Sequence, residues 1–247
     1  MNRIEKSAQV MASLGVCEND LAAAFPEFEA VRNRFVYAEA RTQGELDDRR
    51  RALVVVACLA TLEADDLAEQ MHAAMAVGVT PVELQEVFHQ VVPYIGLPRA
   101  EHGLRVLAEV LRAEGVSLPL PQQSTTDEGS RLEKGIHAQS AIFGEDHILT
   151  MRASAPEDQA FMQDYLSAYC FGDTYTRNGL ELETRASLLR GDHLDGRIRP
   201  AGPRPRRRQR RRGQRCPDAL RGHRHLCALS RVSSLTQRHG SGKRHII

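Results

Sequence analysis

Glu83, Glu86 and His89 follow one another at intervals of three, and Tyr94 stands five residues further on. On a helix this spacing puts the two carboxylates and the imidazole on one face. A carboxylate beside a histidine can take and return a proton, with a tyrosine hydroxyl close by to assist. The same residues also fit a solvated polar face followed by a tyrosine packed at a helix break. The spacing alone leaves both readings open. His72 is a further titratable candidate. His137 and His147 flank Phe143-Gly144 without metal-like partners. The five cysteines, Cys17, Cys58, Cys170, Cys216 and Cys227, form no CxxC. Their spacing suits neither a zinc site nor a disulfide framework, so free thiols and no metal are expected.

These residues need helices to hold them. The 247-residue chain has no Trp and 5% aromatics, and Ala, Leu and Val dominate its apolar set. That composition favours an all-α fold packed through small residues. Pro26 opens a predicted helix with Phe28, Val31, Phe35 and Ala38 on one face. Arg50 to Leu62 is apolar nearly all round, as a central buried helix is. The next helix runs from Asp65 to Val77 and is ended by Gly78. Thr80-Pro81-Val82-Glu83 then reads as an N-cap, a first-turn proline and a capping-box acid. The helix it starts carries Leu84, Val87, Phe88 and Val91 inward, and Pro93 to Pro98 is expected to break it. Arg99 to Glu114 closes the unit with the stripe Leu104, Leu107, Ala108 and Leu111. Residues 115–129 have no helical period and read as a linker.

After the linker the sequence repeats itself. Arg3-Ile4-Glu5-Lys6 returns as Arg131-Leu132-Glu133-Lys134. Phe35 to Glu39 aligns with Tyr169 to Asp173 at an offset of 134, and Leu46, Arg51 and Ala52 align with Leu180, Arg185 and Ala186. The expected organisation is a helical unit over 1–114, the linker, an incomplete second copy over 130–190, and a disordered basic tail over 191–247.

That tail breaks the pattern. Residues 1–190 carry 17 Lys and Arg against 29 Asp and Glu, whereas residues 191–247 carry 16 against 3. An Arg-rich run can neutralise phosphates, so a nucleic-acid-binding arm through 204–215 is one reading, and a plain disordered tail is another. The genetic code favours a third. Reading the codons of Cys227 to Ser234 one nucleotide forward permits Val, Pro, Tyr, Leu, Gly, Phe, Pro and Arg in turn. That string repeats Val92 to Arg99 at an offset of 135, with Ile and Leu exchanged for Leu and Phe. The same shift permits His at the codon of Pro205, eight residues before Gly213. The tail is therefore read as a frameshift product. His223, His225 and His239 then carry no function, and no nucleic-acid partner is expected.

The stretch Arg51-Ala52-Leu53, Leu67, Gly78 to Val87, and Tyr94-x-Gly96-x-Pro98 resembles the motif of the carboxymuconolactone decarboxylase family, within the wider alkylhydroperoxidase D-like group. The resemblance implies an all-α alkylhydroperoxidase D-like bundle, assembly into trimers or hexamers, and a small-molecule substrate. It does not imply one reaction. The peroxidase branch places two cysteines where Glu63 and Asp66 stand, and thiol–disulfide chemistry needs both. The family histidine falls at Gln70, which cannot exchange a proton at neutral pH. Glu86 and Tyr94 match the motif. The resulting expectation is acid/base chemistry on a small lactone or cyclic acid without a cofactor. Glu86, Tyr94, His72 and His89 are the candidate catalytic residues, and Gln70, Arg51, Gly96 and Pro98 the candidate substrate contacts. The alternatives are a peroxidase, disfavoured for want of CxxC, and a non-catalytic ligand-binding or assembly protein. No apolar run approaches the roughly 20 residues a bilayer span needs. The N-terminus lacks a signal-peptide layout, so a cytoplasmic location is the default.

Overall fold

The computed structural model describes residues 1–41, 43, 44 and 46–194, the last five by backbone alone. The Arg-rich stretch, the tail histidines and the shifted-frame match lie outside the described residues. Among those residues the structure is all-α, with no strand. The helices are α1 (Arg3–Leu14), α2 (Leu21–Ala24), α3 (Pro26–Asn33), α4 (Asp48–Leu62), α5 (Leu67–Ala76), α6 (Pro81–Ile95), α7 (Leu97–Ala113), α8 (Arg131–Phe143), α9 (Glu145–Ala153), α10 (Ala160–Tyr165) and α11 (Leu182–Leu194). Two π-helical segments, Arg34–Ala40 and Leu166–Tyr175, continue α3 and α10. No helix among the described residues is long and apolar enough to cross a membrane.

Helices α4 to α7 build the main core. Leu53, Val54, Val56 and Ala57 of α4 meet Leu67 and Met71 of α5, Leu84, Val87, Phe88 and Val91 of α6, and Leu107 and Leu111 of α7. Removing these side chains from water is the main force holding the bundle together. Gly103 lets α7 approach α6 closely, since a Cβ there would sit 2.1 Å from a ring carbon of Phe88. The start of α6 follows from its sequence. The Thr80 hydroxyl accepts from the Glu83 N–H, and the Glu83 carboxylate accepts from the Thr80 N–H at 2.8 Å.

One expectation needs correction. Phe28 and Val31 do not face inward; both are exposed, while Ala38 is buried as expected, together with Glu29, Asn33, Tyr37 and Ala40. The π-helical segment takes more residues per turn than an α-helix, so a 3.6-residue stripe drawn across 28–38 loses register. The buried Glu29 carboxylate is met by Arg32 at 2.8 Å. The stretch Pro93 to Pro98 does end α6, at Gly96 rather than at Pro93: the helix runs on to Ile95, and the φ of 87° at Gly96 lies in the left-handed region. The linker has no helix, but it is fastened down. The Thr125 hydroxyl donates to the Thr176 carbonyl and the Thr126 hydroxyl to the Gly172 carbonyl.

The order of elements recurs along the chain. Helices α4 and α11 start at Asp48 and Leu182, 134 residues apart, and each follows a π-helical segment. Arg51 donates to the carbonyls of Gln43 and Leu46 at 2.9 and 2.7 Å. Arg185 donates to the carbonyls of Arg177 and Leu180 at 2.8 and 3.2 Å, again 134 residues on. Helix α8 lies on the second π-helical segment at backbone contact. A Cβ on Gly135 would stand 1.9 Å from the Ser167 carbonyl oxygen, and one on Gly172 would stand 2.0 Å from that of Arg131. Helix α11 packs on α4 and α6, and its Leu188 enters the main core.

Candidate functional site

The capped start of α6 fixes the rotation of its polar face, and that face meets the segment 170–185. Glu86 is fully buried there. Arg177 donates to both of its oxygens at 2.8 Å, from Nε to Oε2 and from Nη2 to Oε1. Arg185 approaches Oε2 at 3.5 Å and donates to Oε1 of Gln90 at 3.0 Å. Its side chain is 1% exposed. Burial pulls the Arg185 guanidinium below the usual arginine range, and Glu86 opposes that pull. One carboxylate thus stands between two guanidiniums away from water, where ion pairs are strong but costly to desolvate.

Tyr94 lies about two turns beyond Glu86 along α6. Its hydroxyl shares a hydrogen bond with that of Tyr175 at 3.1 Å and accepts from Cys170 Sγ at 3.5 Å. Burial raises the Tyr94 phenol far above its ordinary range, with Cys170 and Tyr175 adding to the effect. Burial likewise raises the Cys170 thiol, which disfavours the thiolate. His89 is half-buried on the same helix. Burial, with help from Arg177, holds its imidazole below the usual histidine range, so it is neutral at neutral pH.

Glu86, His89 and Tyr94 therefore share one neighbourhood. The other candidates lie elsewhere. His72 pairs with Glu114 at 2.8 Å on the far side of α5. Gln70 donates to the hydroxyl of the buried Tyr37 at 3.3 Å. Arg51 lines a separate cavity beside α1. Gly96 forms the sharp joint between α6 and α7, and Pro98 sits exposed in the first turn of α7. Sequence reasoning missed Arg177, Tyr175 and Gln90 as members of the site. Arg185 carried the one available signal, its alignment with Arg51.

In front of the Glu86 ion pair opens a cleft of about 600 Å³. Its walls include Asp47 before α4, Arg49 and Arg50 of α4, Glu83 of α6, and Arg177, Glu181 and Thr184 from the far segment. Arg49 Nη2 holds both oxygens of Glu83 at 2.7 Å. Guanidiniums and carboxylates line this space together, so a small acid bound there would share the arginines with the carboxylates that already pair them. Among the described residues no cluster of histidine, cysteine or acidic side chains could hold a metal ion.

Residues 26–109 match the family model of the carboxymuconolactone decarboxylase family. They form a carboxymuconolactone decarboxylase family domain. The match covers α3 to most of α7, so it takes in Arg51, Gln70, Glu83, Glu86, His89 and Tyr94. Arg177 and Arg185, which hold Glu86 in place, lie outside the matched residues. No curated protein matches the chain. In this family domain the positions of the peroxidase cysteines hold Glu63 and Asp66. Glu63 ends α4 in the left-handed region at φ 53°, and Asp66 pairs with Arg32 at 3.7 Å.

Proposed function

We propose that the chain acts on a small lactone or related cyclic acid, by acid/base chemistry without a cofactor, in the cleft in front of Glu86. The observation that carries this reading is the lining of that cleft. Three guanidiniums, from Arg49, Arg50 and Arg177, line one space together with the carboxylates of Asp47, Glu83 and Glu181. A substrate carboxylate would be taken by an arginine fork. Decarboxylation breaks a C–C bond, releases carbon dioxide and leaves the electron pair as an enolate. A guanidinium would stabilise that charge, and a proton then returns to carbon. In this reading Glu83 carries the proton once its pairing with Arg49 is exchanged for substrate, and Glu86 acts through Arg177 as a positioning residue.

Turnover of carboxymuconolactone by the purified chain, followed by ultraviolet absorbance and carbon dioxide release, tests this. Glu83→Gln is expected to lower kcat by about 100-fold, and Arg177→Met to raise KM. A folded chain that neither consumes the lactone nor binds it would sink the reading.

A second reading, a ligand-binding or assembly protein without turnover, is favoured by one observation. Gln70 stands at the family histidine position, tied to Tyr37. Saturable lactone binding with no product would support it over the first. We further propose that residues 130–190 begin a second unit of the same kind, read out of frame beyond about residue 190, and that the chain is cytoplasmic and forms trimers or hexamers. The 134-residue correspondence of Arg51 and Arg185 supports the first point. The exposed apolar side chains Phe25, Phe28 and Val31 support the assembly.

A further inference from the structure

We propose that Arg41 and Arg51 form a carboxylate-binding site in the cavity between α1 and the start of α4, separate from the cleft in front of Glu86. The cavity measures about 300 Å³. Val10, Leu14 and Val77 give it an apolar wall, and Arg41, Arg51 and Asp48 give it a charged one. The Arg41 side chain is only 10% exposed, and its Nη2 lies 3.9 Å from the nearest Asp48 oxygen, beyond hydrogen-bond distance. Among the described residues neither Arg41 Nη2 nor Arg51 Nε has a hydrogen-bond partner, although both atoms are shielded from solvent. Asp48 itself is 71% exposed and stands at the mouth of the cavity. Asp48 acts on both arginines and Asp47 on Arg51, yet two shielded guanidinium nitrogens are left without an acceptor among the described residues, which is costly.

The chain shows what this arrangement takes. Arg185 grips its preceding loop by carbonyl bonds at the same two relative positions as Arg51. The rest of its guanidinium is engaged by the amide oxygen of Gln90 and the carboxylate of Glu86. Arg51 makes the same loop bonds but meets no such acceptor among the described residues. A carboxylate completes Arg185, and among the described residues no carboxylate accepts from Arg41 Nη2 or Arg51 Nε. The apolar wall suits an acid with a short hydrocarbon or aromatic body. The carboxylate can come from a free small acid or from an acidic side chain of a second copy of this chain.

Benzoate is a suitable probe, with benzyl alcohol as its uncharged control, titrated calorimetrically into the full chain. Saturable benzoate binding is expected, weakened at least about tenfold in Arg41→Met, because a charge-assisted bond is lost. Val10→Phe, which fills the apolar side and leaves both arginines in place, should weaken it too. Circular dichroism of each variant separates a lost site from a lost fold. If the acid comes from a second copy, sedimentation will show an association that benzoate reverses and Arg41→Met abolishes. The proposal is overturned by benzoate binding no tighter than benzyl alcohol together with benzoate-insensitive association. Binding that Arg41→Met leaves unchanged also overturns it. Neither result bears on the lactone cleft, which shares no lining residue with this cavity.

Discussion

Arg177 grips Glu86 by two parallel hydrogen bonds, each 2.8 Å, although 91 residues separate them in the chain. With Arg185 behind it, this pair fastens the family domain to the segment that follows. The glutamate that the family motif singles out is thereby committed to an ion pair at full burial.

Removing Glu86 should therefore be costly. Glu86→Ala leaves two guanidiniums facing each other without a countercharge, which is expected to destabilise the chain by about 3–5 kcal/mol. Urea unfolding would measure this. Arg185→Met should cost more than Arg177→Met, since Arg185 is the less exposed of the two. The triple variant with Glu86→Ala, Arg177→Met and Arg185→Met should recover much of the loss, because no buried charge is then unpaired. A loss below 1 kcal/mol in Glu86→Ala would mean that water reaches the pair.

Gly135→Ala should destabilise the packing of α8 on the second π-helical segment by about 1–3 kcal/mol or more, through overpacking. The clash is with backbone, the Ser167 carbonyl, so no side chain can turn aside. Gly129→Ala is the control, since its nearest neighbour would be a side-chain oxygen at 3.6 Å. Thermal unfolding of the two variants compares them, and equal Tm values would contradict the close approach.

His89 should make stability depend on pH. Its folded-state pKa lies below the ordinary value of 6.5, chiefly because of burial. As pH falls through 6.5 the unfolded chain takes up a proton at this site while the folded chain does not. Stability from this group is therefore complete above pH 6.5 and declines below it, until the folded pKa is reached. His89→Gln should flatten that part of the profile, as read from urea midpoints between pH 5 and 8. An unchanged slope would show that His89 is protonated equally in both states.

The DNA over codons 186–195 should carry a one-nucleotide insertion or deletion relative to the frame that encodes a full second unit. Sequencing that stretch is the check. Restoring the frame should also cover Phe161 and Tyr165, both exposed in the present chain, and raise its solubility. An intact single frame, with the Arg-rich tail in related chains, would count against it.

The sequence by itself determined the helices, their caps and the apolar stripe of the core, because these depend on neighbours three or four residues away. Thr80 and Glu83 announce the start of α6, and Leu84, Val87, Phe88 and Val91 announce its buried face. The offset of 134 that aligned Arg51 with Arg185 was also written there, and both arginines hook their loops at the same positions. Where a π-helical segment changed the number of residues per turn, the stripe drawn through Phe28 and Val31 failed, since periodicity presumes one helix type. Only the tertiary structure decided what the polar residues do. Glu83, Glu86 and His89 look alike in the sequence, as titratable groups on one face, with Tyr94 following. Their chemistry depends on burial and on Arg177, Arg185, Tyr175 and Cys170, which come from a distant stretch of chain. Desolvation and Coulombic contact act through space, so no spacing along α6 could reveal that Glu86 is locked between two arginines at full burial while Glu83 pairs with Arg49 at the wall of a cleft.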